Sequence, residues 1–153
     1  MSRGVIDRAM SYLADSVQKH IISVRPSSDI TRTGTGDSRV QSYNTISKTG
    51  SKLTNSSGVV IGSGVSMIKI SYTLRFNTTG TNHTLNAQIY RNGTAVNALS
   101  LDTKQAQSGK GAITCAPLLM SVNQGDVFCL GWYGQTSDTL YAFGSMLTIE
   151  VVA

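Results

Sequence analysis

Ile68-Lys69-Ile70-Ser71-Tyr72-Thr73-Leu74-Arg75-Phe76 alternates large apolar and polar side chains without a break. Successive side chains of an extended chain point to opposite faces, so this period of two puts every apolar group on one side and every polar one on the other. The stretch reads as a strand with one covered face and one exposed face. Just beyond it the turn-rich segment Asn77 to Thr84 breaks the pattern, and Leu85, Ala87 and Ile89 then resume it up to Tyr90-Arg91. Asn92-Gly93 follows, a pair whose tolerance of positive φ closes two-residue hairpins. Strand-like runs continue near 94–101, 112–120, 126–133 and 141–152, with weaker ones near 40–46 and 58–61. Many short strands with turn signals between them and no helix point to an all-β, two-sheet sandwich.

Composition agrees. The 153 residues, 16.3 kDa in mass, suit one ordinary domain. Only 14% are charged, and 20 Ser, 17 Thr, 8 Asn, 7 Gln and 15 Gly fill the difference; of these Ser, Thr, Asn and Gly favour strands and turns over helices. At 40% hydrophobic the chain can build a core, but no run approaches the ~20 apolar residues of a membrane span, so no membrane partner is expected. The net charge of +5 is scattered, with four Asp among the basic residues of the first quarter, so no nucleic-acid partner is expected either.

The N-terminal segment differs from the rest. Val5, Ile6, Ala9, Met10, Leu13, Val17 and Ile21 recur at three- and four-residue steps, which predicts an amphipathic helix over 5–24, stopped by Arg25-Pro26. A helix this short needs a partner for its stripe. Because 26–39 (PSSDITRTGTGDSR) reads as an extended tether, the partner is expected outside the chain's own head: sister helices or another protein. The expected organisation is an attachment helix over 1–25, with Val5, Ile6, Met10, Leu13 and Val17 as the attaching stripe, a linker over 26–39 and a head over 40–153. Asp7, Arg8 and Asp15 interrupt any signal-peptide core, so export by that route is not expected.

Few residues are available for chemistry. There are eight carboxylates, Glu150 being the sole Glu, and two histidines, His20 and His83. No phosphate loop or Cys/His metal spacing occurs, and Cys115 and Cys129 read as packed thiols. No catalytic residue, metal or cofactor is expected, and a carbohydrate-active enzyme ranks last among the functional classes. For recognition, Trp132 and Tyr133 stand beside the polar loop Gly134 to Asp138. Aromatic faces with hydrogen-bonding neighbours bind sugars, so Trp132, Tyr133, Gln135 and Asp138 form a candidate glycan site. His83 in the 77–84 loop, and Tyr90 and Arg91 beside the hairpin, are further candidates. The competing reading for Trp132 is that it shares a face with Phe128 and Leu130 and fills the core.

One strand is unusual. Ala112 to Met120 is apolar on both faces, with Ile113, Cys115 and Leu119 assigned to one side and Ala112, Ala116, Leu118 and Met120 to the other. A two-sheet protein covers only one face of such a strand, so another copy of the chain is the economical partner for the second.

The order of these features resembles the jelly-roll head shared by the complement q subunit and the tumour necrosis factor superfamily. The matching residues are Arg91-Asn92-Gly93 after the alternating strands, Ser108-Gly109 before an apolar strand, Gly125-Asp126 opening the penultimate strand, and Phe143-Gly144-Ser145-Met146-Leu147 in the last one. The resemblance covers roughly 40–153 and rests on the ordered set, since no single motif is specific. It implies a jelly-roll sandwich of about eight to ten strands. It further implies a homotrimer that buries the sheet of the first, last and apolar strands, with Ile113, Cys115, Leu119, Tyr141 and Phe143 at the contact. Gly125-Asp126 would be a structural turn. This chain departs from the family in lacking a collagen repeat and having a helix and tether instead. A recognition head behind an attachment segment, made without an export signal, resembles the trimeric fibre, decoration or receptor-binding proteins of tailed bacteriophages. The expectation is therefore a virion protein, assembled in the host cytoplasm and released by lysis. Its expected partners are itself, another virion protein through 1–25, and a host surface glycan. The alternative is a complement- or necrosis-factor-like trimeric ligand for a protein receptor.

Overall fold

The computed structural model describes residues 3–153, apart from the side chains of residues 11–17. Among the described residues a single 3-10 turn spans Asn97–Leu99, and one α-helix, α1 (Arg3–Val17), precedes thirteen strands. In chain order these are β1 (Ile21–Pro26), β2 (Ile30–Thr31), β3 (Gly36–Arg39), β4 (Tyr43–Thr49), β5 (Leu53–Asn55), β6 (Val59–Ile61), β7 (Met67–Thr78), β8 (His83–Arg91), β9 (Thr94–Ala95), β10 (Leu101–Gln105), β11 (Gly109–Ser121), β12 (Val127–Gly134) and β13 (Thr139–Val151). They form two antiparallel sheets. The first runs β11-β7-β13-β1-β4, with β2 beside β13. The second runs β10-β8-β12-β6-β5, with β3 beside β12 and β9 beside β8. The chain is a jelly-roll sandwich with a short N-terminal helix: the strand pattern predicts the two-sheet sandwich, and the resemblance implies the jelly roll.

The period-two rule holds residue by residue in β7. Ile68, Ile70, Tyr72, Leu74 and Phe76 are all buried, and Lys69, Ser71, Thr73 and Arg75 face outward. Facing them across the core are Leu85, Ala87 and Ile89 of β8 and Phe128, Leu130 and Trp132 of β12. Two tyrosines bind the layers together by hydrogen bonds. Tyr72 Oη donates to Leu99 O at 2.5 Å, and Tyr43 Oη accepts from Leu130 N–H at 2.8 Å. Burial pushes both phenol pKa values far up, so both remain neutral donors or acceptors.

Two expectations are corrected. The helix ends at Val17, and Ile21 to Val24, expected as its last turn, belong with Arg25 and Pro26 to β1, paired with β13 on one side and β4 on the other. Ile21, Ile22 and Val24 are β-branched and favour a pleated, covered surface, and Ile22 and Val24 are fully buried. His20 fixes the junction: its Nδ1 accepts from Ser51 N–H at 3.1 Å. Residues 26–39 are not a free tether. Ile30 and Thr31 pair with β13, and β3 pairs with β12, so the segment carries the chain from the first sheet to the second. Ile30 packs against the core.

The face assignment in β11 is also corrected. Ile113 and Cys115 stand opposite Leu74 and Tyr72, on the core side, whereas Leu119 stands opposite Lys69, on the outer side. Between Cys115 and Leu118 the register shifts, so that Ala116 and Pro117 together oppose Ser71. Pro117 has no N–H to give to the ladder, and a bulge is where a strand accommodates it. The extra residue reverses which side the following positions face. Ile113 is therefore a core residue, 8% exposed, and not a contact on the outer face. Cys115 also packs against the core.

Candidate functional site

The sequence-derived recognition residues fall into four separate places. Trp132 is 2% exposed and belongs to the core, with its Nε1–H unpartnered. Asp138 is fully buried at one end of the sandwich. Its carboxylate accepts from Gln135 N–H at 2.9 Å, from Thr79 N–H at 3.3 Å and from His83 Nδ1 at 2.8 Å. Gln135, His83 and Asp138 thus form a closed latch between two loops, and no side of the carboxylate is open to a ligand. Arg91 lies at the other end of β8. It donates to Asp126 at 2.5 Å and to Ser121 O at 3.2 Å. Asn92 Nδ2 and Asn123 N–H complete the cage around Asp126. Burial works against the Asp126 charge, but these donors outweigh it and hold the carboxyl below its usual range. This is the structural Gly125-Asp126 turn.

Tyr90 and Tyr133 remain as surface residues, and they share the outer face of the second sheet. Pairing places Asp37, Tyr133, Asn86 and Asp102 in one row across β3, β12, β8 and β10. The next row holds Arg39, Gly131 and Gln88. Gly131 leaves room for the Tyr90 ring: a Cβ there would lie 2.2 Å from Tyr90 Cε2. The Arg39 guanidinium stands 5.8 Å from the same ring. Gln88 Nε2 donates to Asp37 at 3.1 Å, and Asn86 Nδ2 donates to Asp102 at 2.6 Å. Toward the start of β12 opens a hollow of about 420 Å³, bordered by Arg39, Gln41, Ser57, Asn92, Val127 and Cys129. Asp37, Arg39, Asn86, Gln88 and Asp102 were missed from sequence. The alternation of β8 carries the signal for two of them, because Leu85, Ala87 and Ile89 inward require Asn86, Gln88 and Tyr90 outward.

The outer face of the first sheet has a different chemistry. Leu119 is 60% exposed, Phe143 69% and Met146 39%. Between them lie short side chains, with Ser71, Thr148, Ser23 and Ser47 in one row across β7, β13, β1 and β4. A wide bulge in β13, where residues 142–145 oppose Leu74, lifts Phe143 outward. Gly144 adopts φ +89° there, and Ser145 Oγ accepts from Arg75 N–H at 2.9 Å. Arg25 lies 4.2 Å over the Phe143 ring, and Arg75 and Lys110 both approach Tyr141, around a hollow of about 230 Å³. In α1, the residues from Arg3 to Met10 are all exposed, Val5, Ile6 and Met10 by 54%, 48% and 62%. The side chains of Leu13 and Val17 lie outside the described residues.

These features define a necrosis-factor-like jelly-roll head with an N-terminal helix projecting from it. Murine APRIL at pH 5.0 superposes with a TM-score of 0.68 at 11% identity, covering 88% of this chain and 99% of that one. The Eiger TNF of S. frugiperda superposes at 0.63 and 7% identity, covering 89% and 94%. PRD1 vertex protein P5 is similar at 0.49 and 16%, covering 89% and 97%. No protein-family model matches the chain, and no curated protein matches it in sequence. At these identities the likeness is one of fold.

Proposed function

We propose that this chain is a homotrimeric structural protein of a tailed-bacteriophage virion, a fibre, decoration or receptor-binding protein. Residues 1–17 attach it to the particle and the head faces outward toward a host surface glycan. The observation that carries this reading is the presence of two separate apolar surfaces without a partner in the chain. Leu119, Phe143 and Met146 lie on a sheet with short side chains at its centre, which suits close packing against copies. Val5, Ile6 and Met10 lie on a helix whose side chains from Arg3 to Met10 are all exposed. β11, an edge strand of thirteen residues, adds a second reason for a covering copy, because unpaired apolar edges otherwise associate indiscriminately. The role is binding and support, not catalysis: Asp126, Asp138 and His83 are held in structural hydrogen bonds.

A second reading is favoured by the fold match to APRIL and Eiger TNF: a trimeric ligand for a protein receptor. The two share the trimer and differ in what carries it. Immunogold labelling with antibodies to the head, on phage particles purified from lysates of the source culture, separates them. Label on the particle surface supports the virion reading. Label confined to the soluble fraction refutes it and leaves the second.

A further inference from the structure

The first sheet carries a cationic hollow at the end farthest from α1. The chain enters β1 at Ile21, opposite Glu150, and Glu150 is in turn opposite Lys69. Arg75, opposite Tyr141, lies six residues further along β7, about 20 Å away. There the hollow of about 230 Å³ is lined by Asp29, Arg75, Lys110, Tyr141 and Phe143. Asp29, Arg75, Lys110 and Phe143 are exposed and Tyr141 is half-buried, so the lining groups are open to a ligand. Lys19, Lys69 and Arg91 are paired with carboxylates, but Arg25, Arg75 and Lys110 form no ion pair among the described residues. They gather instead on two rings: Arg75 and Lys110 each stand 5.9 Å from the centre of Tyr141, and Arg25 stands 4.2 Å from that of Phe143. Gly144 makes room for Arg75, since a Cβ there would lie 2.7 Å from Arg75 Cδ. Covering the hollow with a second copy does not neutralise these charges, because each copy brings the same cations and burying unpaired charge is costly. The cluster therefore marks the solvent-facing margin of a contact made through Leu119 and Met146, which lie nearer α1, opposite Lys69 and Thr73. Asp29 is the one acid in the lining. Its Oδ1 accepts from Ala142 N–H at 2.8 Å, and its other oxygen has no donor among the described residues.

We infer that this hollow binds an acidic saccharide. Its carboxylate, sulfate or phosphate group sits on Arg75 and Lys110, a hydroxyl donates to Asp29, and the C–H side of its ring lies on Phe143. Cationic donors beside one open carboxylate and an exposed ring suit a ligand that carries an anionic group, hydroxyl donors and an apolar face together. The inference rests on the proposed glycan recognition and deepens it by naming the site and the charge of the sugar. It also places the sugar at the end of the head away from the attachment helix. A nucleic-acid or polyphosphate backbone does not fit, because Asp29 repels a second anionic group and the hollow has room for one ring, not for a chain of charges.

The test uses the full chain and an array of oligosaccharides carrying a uronic acid, a sialic acid, a sulfate or a phosphate, each beside its neutral counterpart. The wild type binds at least one acidic oligosaccharide and not its counterpart, and the arm that binds identifies the anionic group. Arg75→Gln and Lys110→Gln each weaken that binding about tenfold or more, at unchanged melting temperature. Phe143→Ala, which keeps every charge, weakens it as well. Lys104→Gln, the same loss of charge on the second sheet, leaves the affinity within about twofold. The inference is overturned if no acidic oligosaccharide binds, if the neutral counterpart binds as tightly, if Lys104→Gln weakens binding as much as Arg75→Gln, or if single-stranded DNA of equal charge binds at the same residues. Native mass on the same samples keeps this site and the proposed trimer apart. A trimer that binds no acidic saccharide refutes this site alone, and a monomer whose saccharide binding depends on Arg75 and Lys110 refutes the trimer alone.

Discussion

Leu119→Asp tests whether copies of the chain meet through the outer face of the first sheet. In the single chain the Leu119 side chain is 60% exposed and points away from the core, opposite Lys69. Fully burying a leucine is worth about 1.5–3 kcal/mol, so covering the exposed share contributes about 1–2 kcal/mol per protomer and about 3–6 per trimer. Aspartate removes that burial and introduces a charge whose isolation in a contact costs about 3–5 kcal/mol where it finds no partner. The burial loss alone weakens trimer formation by about two to four orders of magnitude, at 1.4 kcal/mol per factor of ten. The head itself should be nearly indifferent, because an outward position outside the core tolerates substitution, with a strand-propensity cost of at most about 1 kcal/mol. Native mass spectrometry should therefore give the wild type at three times the 16.3 kDa chain mass and the variant at one. Circular dichroism should show the same strand content in both. Lys104→Asp, on the second sheet, should leave the trimer intact. A Leu119→Asp variant that remains trimeric at micromolar concentration would refute the placement of the contact. A wild type that is monomeric at the same concentration would refute the contact altogether.

Other perturbations separate attachment, latch and turn. Deleting 1–17 should leave the melting temperature of the head within a few degrees, while deleting 1–26 should prevent folding, because it removes β1 with Ile22 and Val24 from the core, about 2–5 kcal/mol for each large apolar side chain lost. Asp138→Ala leaves three donors without their acceptor, two of them backbone N–H groups. Chemical denaturation should show a loss of about 3–9 kcal/mol, at about 1–3 for each orphaned buried group. Asp126 has its pKa lowered in the folded state, so its stabilising contribution is present above the unfolded value of about 3.9 and is lost as pH falls through the folded one. Denaturation curves should accordingly show stability declining below about pH 4, with a shallower decline in Asp126→Asn. Gly50→Ala combines a left-handed φ of +75° with a Cβ 2.0 Å from His20 Nδ1, and should lower the melting temperature more than Gly34→Ala, where the space is open.

The sequence was legible where one periodicity ran without interruption and misleading where a local event reset it. Ile68 to Phe76 has no proline, glycine or doubled apolar residue, so its pattern translates directly into two faces. Ala112 to Met120 contains Pro117, and the bulge there moves Leu119 to the side opposite Ile113 and Cys115. What looked like a strand covered on both faces is two half-strands out of phase, and the outward apolar surface is Leu119 with Ala112 and Ala116, not Ile113. The N-terminal boundary failed for a related reason. Ile21 continues the helical spacing of Val17 by coincidence, while the β-branched cluster Ile21, Ile22 and Val24 answers to its neighbours in the sheet, Glu150, Ile149 and Leu147. The recognition residues divide along the same line. Trp132 and Asp138 looked like ligand groups because aromatics and carboxylates near a loop are common in sugar sites, but their burial depends on what the other sheet and the 77–84 loop bring against them. Asp37 and Gln88 are 51 positions apart and meet only because the supposed tether becomes β3. A proline inside a two-faced apolar strand therefore carries more information than the apolar residues around it, because it marks where parity must be reconsidered before any residue is assigned to an interface.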